Sequence, residues 1–152
     1  MHPYPHTYVV GASGQAGGTV AITSAGLPGI ETAPPPQFDG PGGAWSPETL
    51  LCAAVADCFI LSFRAFARAA RLEWSQLECR VEGTLERVER VSQFTSFRTS
   101  ASLSVPPDAD VAKAHKLLEQ AEQGCLISNS LRGTRTLDAQ VLVQQQPAAQ
   151  AQ

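Results

Sequence analysis

The sequence has no lysine or arginine before Arg64, and its first 30 residues carry no charged side chain at all. A secretory signal places a basic segment before an apolar one, so this N-terminus does not predict export, and we expect a cytoplasmic protein. Basic runs are absent from the whole chain, whose formal net charge is -3. Binding to nucleic acid or to an anionic membrane surface is therefore disfavoured.

Closely spaced metal ligands are also missing. The four cysteines include no Cys-x-x-Cys pair, and the three histidines are scattered along the chain. Zinc sites are built from closely spaced thiolate and imidazole ligands, so we expect no metal site and no cofactor. In a chain expected to be cytoplasmic, the cysteines are predicted to be reduced, catalytic or buried rather than to form a disulfide framework.

No uninterrupted apolar segment is long enough to cross a bilayer comfortably. The most hydrophobic stretch, residues 50–70, contains Asp57, Arg64 and Arg68, and charged side chains are costly inside a membrane. The stretch is therefore predicted to be a buried helix of a globular protein.

The periodicity of the apolar residues predicts the secondary structure. With 152 residues the chain fits one domain over residues 1–143, followed by a disordered tail over residues 144–152. The predicted elements are strands at 6–10 and 18–23, a helix at about 47–71, strands at 77–88 and 94–105 with a turn at 90–93, a helix at 109–123 and a strand at 137–143. This order favours an α+β fold with an antiparallel sheet and segregated helices.

The first predicted helix has clear start signals and an unusual surface. Ser46 suits the N-cap, Pro47 the first helical position and Glu48 the first turn, where it complements the helix dipole. Residues 50–66 are apolar on nearly every side, so protein must cover almost the whole helix surface. One sheet and one further helix cannot do this, and we therefore predict a homodimer whose partner completes the core.

Two of the cysteines stand in distinctive surroundings. Cys58 lies deep in the apolar helix, and Cys125 directly follows Gly124 at the end of the second predicted helix. A buried free cysteine is either inert core filling or a protected nucleophile, and the residue pattern alone leaves both open. Cys52 and Cys79 are predicted to be core residues, from their positions around the helix and along the strand.

Three segments around these cysteines, residues 46–51, 57–59 and 121–130, resemble the OsmC/Ohr family of thiol peroxidases. The resemblance covers roughly residues 7–143. It implies an OsmC-like fold, in which antiparallel sheets pack on two central helices, two subunits intertwine and the active sites lie at the dimer interface.

The resemblance also implies a two-cysteine peroxidase cycle of the kind that belongs to oxidative stress responses. Cys58 matches the peroxidatic cysteine, which a peroxide oxidises to a sulfenic acid. Cys125 matches the resolving cysteine, which condenses with it to a disulfide that an external dithiol reduces. An apolar pocket would favour organic hydroperoxides, and the candidates for lining it are Phe38, Trp45, Phe59 and Phe63.

Glu48 lies ten residues before Cys58 and matches the family's catalytic glutamate. Ten helical residues advance about 15 Å, so this glutamate must act through an intermediary or across an interface. In the family it holds an arginine of the N-terminal hairpin that stabilises the thiolate. Here the corresponding residues 13–18 contain no arginine, and the candidate replacements from elsewhere in the dimer are Arg64, Arg80 and Arg98.

The missing arginine keeps two other functions open. One is a non-enzymatic member of the family that binds a small hydrophobic or thiol-bearing ligand. The other is a redox sensor or thiol-transfer protein without fast turnover. Asp57, beside the candidate nucleophile, is expected to form an ion pair with Arg64 or Arg68 or with a partner subunit, because an unpaired carboxylate there would be costly.

Overall fold

In the computed structural model, which describes residues 2–145, the chain forms two compact units that divide between Leu51 and Cys52. The first unit contains an antiparallel sheet in the order β1-β2-β3, followed by a short 3-10 turn. Its elements are β1 Gly11–Gly14, β2 Val20–Thr23, β3 Ile30–Thr32 and the turn Pro36–Phe38.

The predicted opening strand at residues 6–10 was wrong. The apolar side chains of Tyr8, Val9 and Val10 are exposed, and the glycine-containing segment after them forms β1 instead. Strand pairing needs only backbone N–H and C=O groups, so a segment without bulky side chains can supply a short edge strand. The strand β3, which the sequence did not predict, completes this sheet.

Helix α1, Pro47–Ala70, confirms the predicted helix and its cap. The Ser46 hydroxyl accepts a hydrogen bond from the Thr49 N–H at 3.2 Å, and the Thr49 hydroxyl accepts one from the Ser46 N–H at 2.8 Å. This is a capping box with threonine in the position usually held by glutamate. Arg71, which directly follows the helix, has a left-handed φ of 53°, and the Leu72 N–H donates to the Ala67 carbonyl at 2.9 Å.

The second unit contains the larger sheet, in the order β4-β5-β6. Its strands are β4 Gln76–Val88, β5 Val91–Val105 and β6 Thr134–Val143, and all three predicted strands are confirmed with earlier starts. The turn predicted at residues 90–93 was wrong, because β4 and β5 continue to a two-residue turn. Glu89 and Arg90 form that turn with φ of 49° and 71°, the left-handed geometry that suits a tight hairpin.

The sequence predicted a wholly antiparallel sheet, but the larger sheet is mixed. β5 pairs with β4 antiparallel, but β6 runs parallel to β5 in the register Ser96↔Thr134 to Val105↔Val143. A parallel neighbour requires a long crossover connection. Residues 106–133 provide it and carry helices α2, Val111–Gln123, and α3, Leu126–Asn129.

Helix α2 confirms the second predicted helix and starts two residues later than expected. Asp110 caps it by accepting a hydrogen bond from the Lys113 N–H at 2.9 Å, and the Gly124 N–H donates to the Gln120 carbonyl at 2.8 Å where the helix ends. Its buried face carries alanine and leucine, namely Ala114, Leu117, Leu118 and Ala121. This face of α2 packs into the core of the second unit.

The core of the second unit lies between α1, α2 and the inner face of the larger sheet. From α1 it receives Phe59, Phe63 and Ala67, and from β5 it receives Leu103 and Val105. This arrangement confirms the α+β class. The last element, β6, leads into Gln144, whose N–H donates to the Val105 carbonyl at 2.9 Å, while the rest of the predicted tail, residues 146–152, lies outside the described residues.

The buried surface of α1 is a single stripe, although the helix is apolar on nearly every side. Only Val55, Phe59, Phe63 and Ala67 are buried, whereas Leu61 is 49% exposed. By length and composition α1 could also span a bilayer, a test that core helices of globular proteins pass as well. Within residues 2–145, therefore, much of the apolar surface of α1 is not covered.

Candidate active site

The second unit brings the two predicted redox cysteines together. Cys125 is 1% exposed and precedes α3, where its sulfur accepts a hydrogen bond from the Ser128 hydroxyl at 3.2 Å. The same sulfur lies 4.0 Å from the carbonyl oxygen of Val55, one turn before Cys58 on α1. The half-buried Cys58 thiol lies close enough to the Cys125 thiol to raise the pKa of Cys125. Both thiols are free, as are those of Cys52 and Cys79.

Local packing explains why the two thiols meet. Cys58 precedes Phe59, so it lies at the edge of the buried stripe of α1, and this position leaves its side chain half-buried. On the other side, Gly124 lets the end of α2 approach α1 closely. A Cβ atom on Gly124 would lie 2.9 Å from the ring of Phe66 and 3.1 Å from the Gln120 carbonyl oxygen, so a larger residue there would displace Cys125.

The Cys125 thiol is held in its protonated form mainly by burial. Burial raises the pKa of Cys125, hydrogen bonding from Ser128 partly lowers it, and the neighbouring Cys58 raises it again. A thiolate at this buried position would have few contacts with water, so the hydrogen bonding from Ser128 is what stabilises the charged form of Cys125. The sequence pattern did not indicate this hydrogen bond from Ser128 to the sulfur.

Cys79 is a third thiol near the pair. It lies on β4, packs against the core cluster as predicted, and is close enough to Cys125 for their charges to interact. Burial, with a smaller contribution from Cys125, raises the pKa of Cys79 to about 11. This thiol is therefore protonated and unreactive at neutral pH.

Cys52 lies where α1 passes closest to β4. A Cβ atom on Gly83 would come within 2.8 Å of its sulfur and of the Phe94 ring. Burial raises the pKa of Cys52, which a backbone hydrogen bond from Gly83 partly opposes. Cys52 is half-buried against β4 and is not part of the pair formed by Cys58 and Cys125.

The two acidic residues discussed for this site, Glu48 and Asp57, differ in how far they are buried. Glu48 is half-buried in the first turn of α1, and its Oε2 is buried without a hydrogen-bond partner among residues 2–145. Asp57 is exposed and forms no ion pair within the same residues. The predicted ion pair of Asp57 with Arg64 or Arg68 was therefore wrong for the single chain, because a solvated carboxylate needs no partner.

The three arginines that could replace the missing hairpin arginine do not contact the two thiols in the described chain. Arg80 pairs with Glu82 at 3.5 Å and Arg98 with Asp138 at 3.6 Å, both on the exposed face of the larger sheet. Arg64 is exposed on α1. Exposed pairs of this kind contribute little free energy, so they can exchange partners easily. Which cation serves the site stays a prediction.

The four aromatic residues predicted for a substrate pocket fall into two classes. Phe59 and Phe63 are fully buried core residues, and Phe63 packs edge-on against Trp74 with ring centroids 5.3 Å apart. Phe38 and Trp45 are about half exposed in the first unit. Their role in binding a substrate stays a prediction. Among the described residues, no group of three or more metal-ligating side chains is placed to hold an ion.

Comparisons with known proteins identify the family of this chain. The family model described as OsmC-like protein matches residues 40–139. The chain is 32% identical over 112 residues to an uncharacterized protein, YmaD, of Bacillus subtilis, covering 72% of this chain and 75% of the relative. It is 26% identical over 105 residues to peroxiredoxin OsmC of Escherichia coli, covering 69% and 72%.

The same family appears among solved structures. The organic hydroperoxide resistance protein OsmC of Legionella pneumophila superposes with a TM-score of 0.72 at 26% identity, covering 93% of this chain and 100% of that one. The family model spans most of the chain, including α1, the larger sheet's first two strands and the turn that carries Cys125. The chain therefore belongs to the OsmC-like protein family.

Proposed function

We propose that this protein is a thiol-dependent peroxidase that reduces organic hydroperoxides, with Cys58 as the peroxidatic and Cys125 as the resolving cysteine. The observation that carries the proposal is the meeting of these two thiols, from α1 and from the turn before α3, in one partly buried site. The activities named for the relatives in Escherichia coli and Legionella pneumophila support it.

In the first step the thiolate of Cys58 attacks the terminal oxygen of the hydroperoxide. A sulfur–oxygen bond forms and the oxygen–oxygen bond breaks, so Cys58 becomes a sulfenic acid, and the leaving alkoxide becomes an alcohol by taking up the proton that the Cys58 thiol released. Cys58 suits this role better than its partner because it is half-buried, whereas Cys125 is inaccessible to a bulky peroxide.

In the second step the Cys125 sulfur attacks the sulfenic sulfur of Cys58. The new disulfide bond forms as the sulfur–oxygen bond breaks, and hydroxide leaves as water with the proton that Cys125 released. An external dithiol then reduces the disulfide in two exchange steps and becomes a disulfide itself. The second step requires a Cys125 thiolate, and the Ser128 hydroxyl is placed to stabilise that charge.

The proposal includes a homodimer in the cytoplasm. Two features of the single chain support a second subunit, namely the uncovered apolar surface of α1 and the unpartnered buried oxygen of Glu48. A donor from the second subunit would satisfy Glu48 and take the place of the missing hairpin arginine. Phe38 and Trp45, which are exposed in one chain, would then have apolar surface to offer to a substrate.

A slower thiol redox sensor is the second candidate. It is favoured by the raised pKa of Cys125 and by the absence of lysine and arginine from the first 63 residues, which leaves the N-terminal hairpin without a cation to activate a thiolate. A sensor would form the same disulfide stoichiometrically and would turn over slowly under any reductant.

Replacing the redox cysteines separates these functions. We expect Cys58→Ser to abolish the consumption of cumene hydroperoxide and Cys125→Ser to permit one turnover before Cys58 is oxidised to the sulfinic acid, because no second thiol resolves the sulfenic acid. The control Cys52→Ser should retain wild-type turnover. Peroxide consumption is measured with a dithiol in excess for Cys58→Ser and for the control, and without added dithiol for Cys125→Ser. Unchanged turnover in Cys58→Ser would contradict the proposal. A protein that consumes no peroxide and copurifies with an apolar ligand would indicate the non-enzymatic function.

Removing the Ser128 hydroxyl tests the activation of Cys125. Without this donor the thiolate loses a hydrogen bond, so the pKa of Cys125 rises and disulfide formation requires a higher pH. The rate of disulfide formation in Ser128→Ala, followed between about pH 6 and 10, should therefore shift to higher pH than in the wild type. Ser130→Ala is the matched control, because the Ser130 hydroxyl donates at 2.9 Å to the Leu126 carbonyl in the same turn. Superimposable profiles for Ser128→Ala and wild type would rule out this role.

A charge on the uncovered surface of α1 tests the homodimer. Leu61 and Leu142 are both 49% exposed, the first on α1 and the second on the outer face of β6. Burying an unpaired carboxylate is costly, so Leu61→Glu should weaken the dimer at least about ten-fold while Leu142→Glu leaves it intact. Sedimentation equilibrium across a concentration series measures both constants. A monomeric wild type, or equal constants for the two variants, would show that α1 is not the interface.

A further inference from the structure

Arg135 connects the two ends of the segment that carries Cys125. Its side chain leaves β6 and forms an ion pair with Glu122, Nε to Oε1 at 3.2 Å, while its Nη1 donates to the Asn129 Oδ1 at 2.8 Å. Glu122 lies at the end of α2 and Asn129 at the end of α3, three residues before and four residues after Cys125. One guanidinium group therefore spans the whole turn.

Backbone hydrogen bonds tie Cys125 itself to the same two residues. The Cys125 N–H donates to the Glu122 carbonyl at 3.3 Å, and the Asn129 N–H donates to the Cys125 carbonyl at 2.9 Å. The Asn129 amide also donates to the Gln123 carbonyl at 3.1 Å. Displacement of either end of the turn would therefore move Cys125.

This ion pair differs from the other two in the described chain. The Arg135 and Glu122 side chains are 27% and 19% exposed, compared with 61% and 58% for Arg98 and Asp138. Less exposed pairs are screened less by salt and water. Glu122 is also an acidic residue at a helix C-terminus, where the dipole disfavours it, so the arginine compensates an otherwise unfavourable charge.

We infer that Arg135 is a positioning residue for the resolving step, which holds the Cys125 sulfur where it can reach the sulfenic acid of Cys58. The inference rests on the proposed function. The step it assists is the disulfide-forming step described above, and it has no part in the attack of Cys58 on the peroxide. Disulfide formation tolerates little misplacement, because the Cα atoms of the two cysteines must come within about 7 Å. The planar guanidinium can bond Glu122 and Asn129 at once, which a lysine ammonium would do less rigidly.

The experiment measures how the Cys58 sulfenic acid partitions between disulfide and sulfinic acid. Reduced protein is mixed with increasing amounts of cumene hydroperoxide, quenched with a thiol-blocking reagent and analysed by peptide-mapping mass spectrometry. The variants are Arg135→Gln and Arg135→Lys, with Arg87→Gln as control, since Arg87 is an exposed arginine of β4. Circular dichroism and thermal unfolding establish that each variant is folded.

We expect Arg135→Gln to oxidise Cys58 at the wild-type rate but to form the disulfide about ten-fold to a hundred-fold more slowly, so sulfinic acid accumulates at lower peroxide. Arg135→Lys should lie between Arg135→Gln and the wild type, and Arg87→Gln should match the wild type. If Arg135→Gln does not fold, Asn129→Ala removes the other end of the connection at an exposed position and should give the same change.

The results distinguish two kinds of failure. A wild type that forms the disulfide, together with an Arg135→Gln variant that partitions like the wild type, overturns the positioning role and leaves the proposed function standing. A wild type that forms neither sulfenic acid nor disulfide overturns the proposed function, and the positioning role with it. Equal slowing of Cys58 oxidation and disulfide formation in Arg135→Gln would also contradict the inference, because it would indicate a general structural effect.

Discussion

The packing of one stripe of α1 against α2 and the larger sheet is the interaction on which the site depends. The buried stripe includes Val55, Phe59 and Phe63, and Cys58 lies at its edge. The same packing brings the carbonyl of Val55 to the Cys125 sulfur. A shift of α1 by one residue would rotate Cys58 by about 100° and separate the two thiols. The hydrophobic core therefore fixes where these two thiols lie relative to each other.

The protonation of the thiols follows from the same packing. Burial opposes ionisation of both Cys125 and Cys79, and the pKa of Cys79 is raised to about 11. Hydrogen bonding from Ser128 offsets this effect at Cys125 alone. Of these two sulfurs, one thus has a donor that stabilises its thiolate and the other does not. This difference favours reaction at Cys125 over reaction at Cys79.

The sequence predicted the helices and strands that depend on local periodicity. It did not predict the features that depend on contacts between residues far apart in the chain. The cap at Ser46 and the apolar period of α1 predicted that helix well, and the resemblance identified Cys58 and Cys125. The prediction of an antiparallel sheet was wrong for β6, because the crossover through residues 106–133 makes this strand parallel to β5. The contacts of Arg135 with Glu122 and Asn129 could not be predicted, since they arise only when α2, α3 and β6 meet. The hydrogen bond from Ser128 to the Cys125 sulfur is local, but several side-chain orientations are open to a serine at that position.

The most direct test of this account is to identify which thiols the wild-type protein joins when it is oxidised. Reduced protein would be treated with one equivalent of cumene hydroperoxide, quenched at intervals from seconds to minutes and mapped by mass spectrometry for every pairing of its four cysteines. The account predicts rapid formation of the disulfide between Cys58 and Cys125, with Cys52 and Cys79 still reduced. A first disulfide that contains Cys79, or thiols that all remain reduced for minutes, would contradict it.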